Sequence, residues 1–221
     1  REEENLPIYD SAISTYEALY ALADAYNRRS AYDLLHEKYR PQAQKYLFSD
    51  YQPGQFGFDE TMELVYSYVL SGYADGTFRP QAPVTRAEFA KYLVYGLGLK
   101  GETQNNHRGS DVFRDVAPGH WADGCIGVCA ARGYVGGTAE GVYSPGANIT
   151  GEQLMAILVR VAGREKETEA LRKPGKGWAE GYIRVAESLG WLYPGFEPQK
   201  PVTRAQCAWS VARLRKMVGT R

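Results

Sequence analysis

The sequence predicts an all-α, loop-rich protein assembled from helix–loop–helix repeats, and three observations lead to this fold class. A six-residue phrase occurs three times, starting at Val84, Ile149 and Val202. Apolar residues continue after each phrase at the three- and four-residue spacing of one helix face. Glycine, proline and aspartate cluster between these segments, as expected of turns. Repeated units of this kind stack to bury a shared core.

Each phrase predicts the start of a helix, because it contains a capping box. In this motif a threonine hydroxyl accepts a hydrogen bond from the third helical N–H, and the third side chain bonds back to the threonine N–H. The apolar residue before each threonine is expected to pack on the fourth helical residue, as Val84 would on Phe89. The pairs are Thr85 with Glu88, Thr150 with Gln153, and Thr203 with Gln206.

A second helix precedes the phrase and repeats with the same internal spacing. Trp121 begins this helix in one copy and Trp178 in another. Gly133 and Gly190 are the expected stops, because glycine readily adopts the left-handed backbone that ends many helices. Each unit is therefore expected to run from a helix through an extended loop to a capped helix.

The loop between the two helices carries turn chemistry. Asp75-Gly76 precedes an aromatic residue and a proline, a pattern that predicts a turn. Phe48 and Phe113 are 65 residues apart, as are Thr85 and Thr150, so two copies keep one register. The third copy has a shortened loop, residues 193–198, and it lacks the Phe-x-Asp that opens the other two.

These features divide the chain into an N-terminal segment and three repeats. The N-terminal segment has tyrosines at helical spacing in residues 14–26, which we interpret as a packing face rather than a sugar-stacking one. Residues 100–110 and 164–177 are interpreted as exposed linkers, the second extending the preceding helix. The boundaries are 1–47 for the N-terminal helical segment, 48–99 for repeat 1, 111–163 for repeat 2 and 174–218 for the shortened repeat 3.

The chain resembles the S-layer homology (SLH) domain family over residues 48–217. The resemblance rests on Phe-x-Asp-Val at 113–116, His-Trp-Ala at 120–122, Gly-Tyr-Ala-Asp-Gly-Thr-Phe-Arg-Pro at 72–80 and Thr-Arg-Ala-Glu at 85–88. It implies three tandem repeats in a pseudo-threefold arrangement. It also implies a non-catalytic module that holds a bacterial surface protein on the cell wall, by binding acidic, often pyruvylated, secondary cell-wall polysaccharide in grooves between repeats. The expected location is extracellular, at the cell wall.

The resemblance also implies which residues bind the ligand. Arginine of the Thr-Arg-Ala-Glu motif would contact the acidic sugar. Helix physics adds that an anion bound beside this arginine would also meet the unpaired N–H groups of the helix N-terminus. The arginine contact carries over to Arg86 and Arg204, whereas repeat 2 has Gly151 at that position. The ligand-binding candidates are Arg86, Arg204, Trp121, Trp178, Glu88, Gln206, Asp50, Asp115 and Gly76.

From the residues alone, several of these positions keep two interpretations. An arginine at the first helical position opposes the helix dipole by roughly 0.3–1 kcal/mol, so Arg86 either awaits an anion or pairs with Glu88 or packs over an aromatic ring. Trp121 and Trp178 either stack on a sugar or wedge helix against loop, and Phe56 or Phe58 holds this position in repeat 1. Asp50 and Asp115 either tie the following turn or accept hydrogen bonds from sugar hydroxyls, and Gly76 serves a turn whose loop would border the groove.

Composition excludes several other functions. Lys plus Arg and Asp plus Glu both total 26, so no net field favours nucleic acid. No apolar run approaches the ~20 residues of a membrane span. The three cysteines are interpreted as small buried hydrophobes rather than metal ligands. No nucleophile motif, P-loop or dinucleotide turn is present, so the sequence predicts neither an enzyme nor a cofactor.

Two other hypotheses remain open from sequence. Gly151 and the short third loop would also suit a degenerate scaffold that binds other surface proteins. The chain would equally suit the anchoring part of a larger surface enzyme, since its first residues, Arg-Glu-Glu-Glu, read as the start of a mature or excised fragment.

Overall fold

The computed structural model describes residues 47–104, 108–173 and 175–219, and it confirms the all-α, loop-rich fold class. Within those ranges there are seven α-helices, two 3-10 helices at Lys100–Gln104 and Gly109–Asp111, and no β-strand. The predicted helix in residues 14–26 lies outside the described residues. The α-helices are α1 (Phe58–Tyr66), α2 (Arg86–Gly96), α3 (Asp123–Ala131), α4 (Gly151–Val161), α5 (Lys166–Leu171), α6 (Glu180–Ser188) and α7 (Arg204–Val218).

The three predicted capping boxes are confirmed. Thr85, Thr150 and Thr203 are the N-caps of α2, α4 and α7, and both hydrogen bonds of the box are present at each. The apolar residues flanking each box are fully buried, as a hydrophobic staple requires. These residues are Val84, Ile149 and Val202 before the caps and Phe89, Leu154 and Cys207 inside the helices.

The two predicted helix stops are also confirmed, and the structure adds a third one that was not predicted. Gly133 follows α3 and Gly190 follows α6, with φ of 69° and 68° respectively. Tyr68 lies 65 residues before Gly133 and takes the same left-handed conformation, with φ 56°. A side chain in this region crowds its own backbone, so repeat 1 ends its first helix at a conformational cost that the other two repeats avoid.

The staple residues also join the three capped helices to one another. The Val84 N–H donates to the Val202 carbonyl at 3.0 Å, the Val202 N–H to the Ile149 carbonyl at 2.9 Å, and the Ile149 N–H to the Val84 carbonyl at 2.9 Å. The three bonds close a cycle in the interior, where an unbonded backbone group would be costly. Residues up to 118 positions apart in sequence are thereby fixed side by side.

The linkers differ from the prediction of exposed loops. Residues 100–104 form a 3-10 helix, and α5 is a separate helix rather than an extension of α4, because Gly163 breaks the chain with φ 67°. Each linker crosses the next helix where that helix has a glycine. A Cβ on Gly124 would come 2.5 Å from the Thr103 carbonyl oxygen, and one on Gly181 would meet the Thr168 carbonyl.

The chain divides into two compact units. The first comprises Arg1–Gln55 and Gly72–Phe78, of which residues 47–55 and 72–78 are described. In it, the Tyr51 ring stacks on Phe78 at 5.2 Å between centroids. The second unit comprises Phe56–Ser71 and Arg79–Arg221, and it contains all seven helices of the described residues. None of those helices is long and apolar enough to cross a membrane.

Candidate functional site

The second unit contains three junctions, each formed where the start of a capped helix meets the loop of another repeat. At every junction the first two helical N–H groups donate to two loop carbonyls, at 2.7–3.1 Å. The first junction joins Arg86 and Ala87 of α2 to Ala147 and Pro145. The second joins Gly151 and Glu152 of α4 to Lys200 and Pro198, and the third joins Arg204 and Ala205 of α7 to Ala82 and Pro80.

These bonds decide what the helix N-termini can do. The third N–H of each helix donates to its threonine cap, and the N–H of that threonine donates to the side chain at the third helical position. The four donors that a helix start leaves open are therefore all occupied. The expectation that the helix N-termini donate hydrogen bonds to a ligand is therefore contradicted in this structure. The helix starts hold neighbouring repeats together instead.

Arg86 is the central side chain of the first junction. It is only 5% exposed, and its guanidinium contacts repeat 2 from three sides. The Nε–H donates to the Tyr143 carbonyl at 2.7 Å, one terminal nitrogen to the Gly136 carbonyl at 3.0 Å, and the other to Gln153 Oε1 at 3.2 Å. The guanidinium carbon also lies 4.5 Å from the centroid of the Tyr143 ring. The alternative of packing over an aromatic ring is thus realised, and pairing with Glu88 is not.

The charge of Arg86 has no carboxylate partner among the described residues. All three acceptors are neutral, and the hydrogen bonds use three of the five N–H groups of a guanidinium. Burial lowers the pKa of Arg86, while the Tyr143 hydroxyl and the Asp115 carboxylate oppose that shift. A buried cation held only by neutral acceptors keeps a large unmet demand for negative charge.

Arg204 repeats this geometry at the third junction. It is 6% exposed, and one terminal nitrogen donates to the Ser71 carbonyl at 2.7 Å. The other terminal nitrogen donates to the Tyr92 hydroxyl at 2.6 Å. Ser71 and Gly136 are 65 residues apart, so both arginines reach the same carbonyl position of the repeat they contact.

Gly151 makes the second junction different. A Cβ at this position would lie 2.6 Å from the Glu197 carbonyl oxygen and 3.0 Å from both the Tyr193 hydroxyl and the Phe196 ring. The shortened loop of repeat 3 therefore fills the space into which Arg86 extends at the first junction. The missing arginine and the short loop, noted separately from sequence, are two sides of one packing solution.

The motif residues at the third helical position act as caps. Glu88 accepts from the N–H of Thr85 at 2.7 Å, and Gln206 accepts from the N–H of Thr203 at 2.9 Å. Gln153 does the same for Thr150 and also binds Arg86, which makes it a junction residue that sequence reasoning missed. Its position could have identified it, because Gln153 lies 65 residues after the motif residue Glu88 and so takes the same place in the next repeat.

Trp121 and Trp178 lie on the surface before α3 and α6. Trp121 is 59% exposed and Trp178 is 49% exposed, so the alternative of a core wedge is wrong for both. The Trp121 ring lies 5.5 Å from His120, and the Trp178 ring lies 6.0 Å from Tyr182. Phe56, not the buried Phe58, holds the equivalent exposed position in repeat 1.

Asp50 and Asp115 each tie the turn that opens their repeat to the later loop of the same repeat. Asp115 accepts hydrogen bonds from the N–H groups of Tyr143 and Ser144, both at 2.7 Å. Loss of some solvation would raise the pKa of the exposed Asp115 carboxyl, but these backbone donors outweigh it and the pKa is lowered. Since Tyr143 also binds Arg86 through its carbonyl, Asp115 supports the first junction at one remove.

In the first unit, Asp50 accepts from the N–H of Phe78 at 2.7 Å in the same way. Gly76 has φ 77° and accepts a bond from the N–H of Ser49 at 2.9 Å, so it serves its turn. The side chains of Cys125, Cys129 and Cys207 are buried, as expected of small hydrophobes. Burial raises the pKa of the Cys125 thiol to about 11.

Comparison with known proteins identifies part of the chain. Residues 47–90 and 112–155 each match the family model described as S-layer homology domain. The predicted third repeat, residues 174–218, lies outside both matched segments and stays a prediction.

Three curated relatives extend this comparison. The Cellulosome-anchoring protein of Acetivibrio thermocellus is 35% identical over 128 residues, 55% of this chain and 27% of the relative. The Endoglucanase of Bacillus sp. strain KSM-635 is 34% identical over 113 residues, 51% of this chain and 11% of the relative. The S-layer protein of Bacillus thuringiensis subsp. finitimus is 27% identical over 184 residues, 78% of this chain and 22% of the relative. The chain thus spans about a quarter or less of each relative.

Proposed function

We propose that this chain is a non-catalytic module that anchors a protein at the bacterial cell surface by binding acidic cell-wall polysaccharide at the repeat junctions. The names of the relatives, which include an S-layer protein and a Cellulosome-anchoring protein, support a surface location and an anchoring role. The observation that carries the ligand class is Arg86, a buried cation whose described acceptors are all neutral.

The chemistry of Arg86 favours a carboxylate-bearing sugar, such as a pyruvylated one. Two of its N–H groups are not used by the three hydrogen bonds to Tyr143, Gly136 and Gln153. A planar carboxylate matches the fork of a guanidinium and would supply the missing negative charge. Because the side chain is nearly closed off, the sugar would have to enter at the edge of the junction, with a small displacement of the residue 136–147 loop.

Trp121 and Trp178 would add flat apolar surface for contact with the polymer. Both indoles are about half exposed, and they occupy equivalent places in repeats 2 and 3. Stacking of a sugar ring on each indole would orient the polymer. The arginine would then select for acidic substituents.

We also infer a pseudo-threefold arrangement of three repeats. It is supported by the closed cycle of hydrogen bonds among Val84, Ile149 and Val202, and by junction bonds that recur three times. If Arg86 and Arg204 mark binding junctions, two of the three junctions would bind ligand and the one at Gly151 would not.

Sedimentation with purified cell walls tests the binding function. The variants Trp121→Ala and Trp178→Ala remove exposed side chains, so each should fold normally and bind walls about tenfold more weakly, the equivalent of about 1.4 kcal/mol. Tyr68→Ala is the matched control, because it removes another exposed aromatic side chain. Unchanged wall binding in the double tryptophan variant would refute the proposal that these residues contact the polymer.

The arginine mechanism needs a test that separates binding from folding. Arg86→Lys keeps the charge and loses the fork, so it should lower the preference for pyruvylated over unsubstituted polysaccharide while circular dichroism stays unchanged. Arg86→Ala combined with Arg204→Ala should abolish that preference. A double variant that stays folded and keeps the full preference would show that the arginines do not read the acidic group.

The Endoglucanase relative favours one wider context. Its name describes an enzyme, and this chain matches only 11% of its length. We propose that surface enzymes are among the cargo that modules of this kind anchor. Fusion of this chain to a soluble reporter should carry the reporter onto isolated walls, whereas a module that serves only as a protein scaffold would leave it in the supernatant.

A further inference from the structure

Away from the arginine junctions, two lysines converge on one tyrosine ring. Lys91 and Tyr95 are four residues apart on α2, and Lys100 begins the following 3-10 helix. The Lys91 Nζ lies 5.5 Å from the centroid of the Tyr95 ring, and the Lys100 Nζ lies 5.2 Å from it. Both distances fall within cation–π range, so the ring draws two like charges to within about 11 Å of each other.

Neither ammonium group is neutralised by a described residue. The ion pairs of residues 47–104, 108–173 and 175–219 include Arg132 with Glu102 and Lys216 with Glu63, but none involves Lys91 or Lys100. Lys100 is exposed, and Lys91 and Tyr95 are half-buried, so solvent reaches the cluster. The Lys91 charge also acts on the Cys125 thiol, which places the cluster where α2 faces α3.

The equivalent place in the next repeat is built the opposite way. Residues 65 positions later are Ala156, Arg160 and Glu165. There Glu165 accepts a bond from Arg160 at 3.2 Å, and the Arg160 guanidinium lies 5.0 Å from the Tyr182 ring. In repeat 2 the positive charge at this place is therefore paired with a carboxylate, whereas in repeat 1 two positive charges are left without an ion-pair partner among the described residues.

We propose that Lys91, Tyr95 and Lys100 form a binding site for a phosphate group, separate from the arginine junctions. Each ammonium group would turn from the ring toward an anion at its hydroxyl edge, and the Tyr95 hydroxyl, which has no hydrogen-bond partner among the described residues, would donate to that anion. Contact with the ring keeps each lysine head group close to the proposed site, which reduces the entropy lost when an anion binds. The site does not depend on the proposed sugar-binding function.

The donor set favours phosphate over carboxylate. A lysine acts as a compact point charge with three rotatable donors, which suits the spread oxygens of a phosphate. Bidentate recognition of a planar carboxylate is instead typical of an arginine fork, as at Arg86. The lysine site would thus bind phosphate, whereas the arginine junctions would bind carboxylate.

The test is a titration of the full chain with inorganic pyrophosphate, in which binding is monitored by the NMR chemical shifts of the backbone amides of residues 91–100. A parallel titration with malonate provides the carboxylate comparison. Binding should weaken as salt is added. Lys91→Ala combined with Lys100→Ala should weaken it roughly tenfold or more, since each ammonium supplies one close charge contact. Lys173→Ala with Lys176→Ala is the matched control, because it removes two exposed lysines that form no ion pair with a described residue.

The expected result is localised binding of pyrophosphate that the first double variant loses and the control keeps. Tyr95→Phe should weaken binding by a smaller factor, since only the hydroxyl is lost. Equal losses in both double variants would overturn the proposal, because they would show a general effect of net charge. Malonate binding as tight as pyrophosphate would overturn the assignment to phosphate, and shifts confined to other residues would overturn the site.

Discussion

The first and second junctions both start from a helix with a threonine capping box, but the contacts that close them are of different kinds. At the first, Arg86 reaches across and binds carbonyls of repeat 2. At the second, the loop of repeat 3 comes to within contact distance of the Gly151 backbone and leaves no room for a side chain. The helix start is a shared structural device, and the residue after the cap decides whether a junction is bridged by an ionic side chain or closed by direct packing.

The largest expected effect comes from forcing the first solution onto the second junction. Gly151→Arg places a side chain against the Glu197 carbonyl, the Tyr193 hydroxyl and the Phe196 ring, so the loop of repeat 3 must move. We expect a loss of about 3 kcal/mol or more in the free energy of unfolding, measured by urea denaturation. Gly146→Arg is the control, since a Cβ there meets nothing within 4 Å and little change should result. A stable Gly151→Arg protein would break the comparison.

Removing the bridge at the first junction should come next. Arg86→Ala leaves the carbonyls of Tyr143 and Gly136 without their donors and uncovers the Tyr143 ring. We expect a loss of about 2–3 kcal/mol in the free energy of unfolding. Arg132→Ala, which breaks an exposed ion pair with Glu102, should cost under about 1 kcal/mol. Equal effects of the two substitutions would mean that Arg86 does not hold the junction.

The caps should behave alike at both junctions, unlike the residues that follow them. Thr85→Ala and Thr150→Ala each remove the acceptor for the third helical N–H. Each should lower the midpoint of thermal unfolding by an amount equivalent to about 1 kcal/mol, and Thr→Ser at the same sites should restore most of it. A large difference between the two alanine variants would show that the caps are not equivalent.

The smallest expected effect concerns a helix end rather than a helix start, and it compares the residue that follows the first helix in repeats 1 and 2. Tyr68 takes the left-handed conformation that Gly133 takes in repeat 2. Tyr68→Gly should raise the free energy of unfolding by about 0.5–1 kcal/mol, because it relieves backbone crowding at an exposed position. Gly133→Tyr should have the opposite sign. Destabilisation by Tyr68→Gly would indicate that the tyrosine side chain contributes more than its conformation costs.

The sequence determined the helix starts because their signals are local. A threonine and the residue three positions later meet within one helical turn whatever the rest of the chain does, so the capping box at Thr85 could be identified directly. The same holds for the glycine stop at Gly133 and the 65-residue register that relates repeats 1 and 2. The all-α fold class followed from these signals.

Tertiary structure alone decided what the residues beside those signals do. Arg86 is buried because Tyr143 and Gly136, more than 49 positions away, fold over it, and Trp121 is exposed because nothing does. Gly151 is required because a loop over 40 residues later approaches its backbone. Burial, exposure and close approach depend on segments that are distant in sequence. The repeated phrase is local, and it therefore predicted three equal helix starts. The three junctions differ because the segments that surround those starts differ.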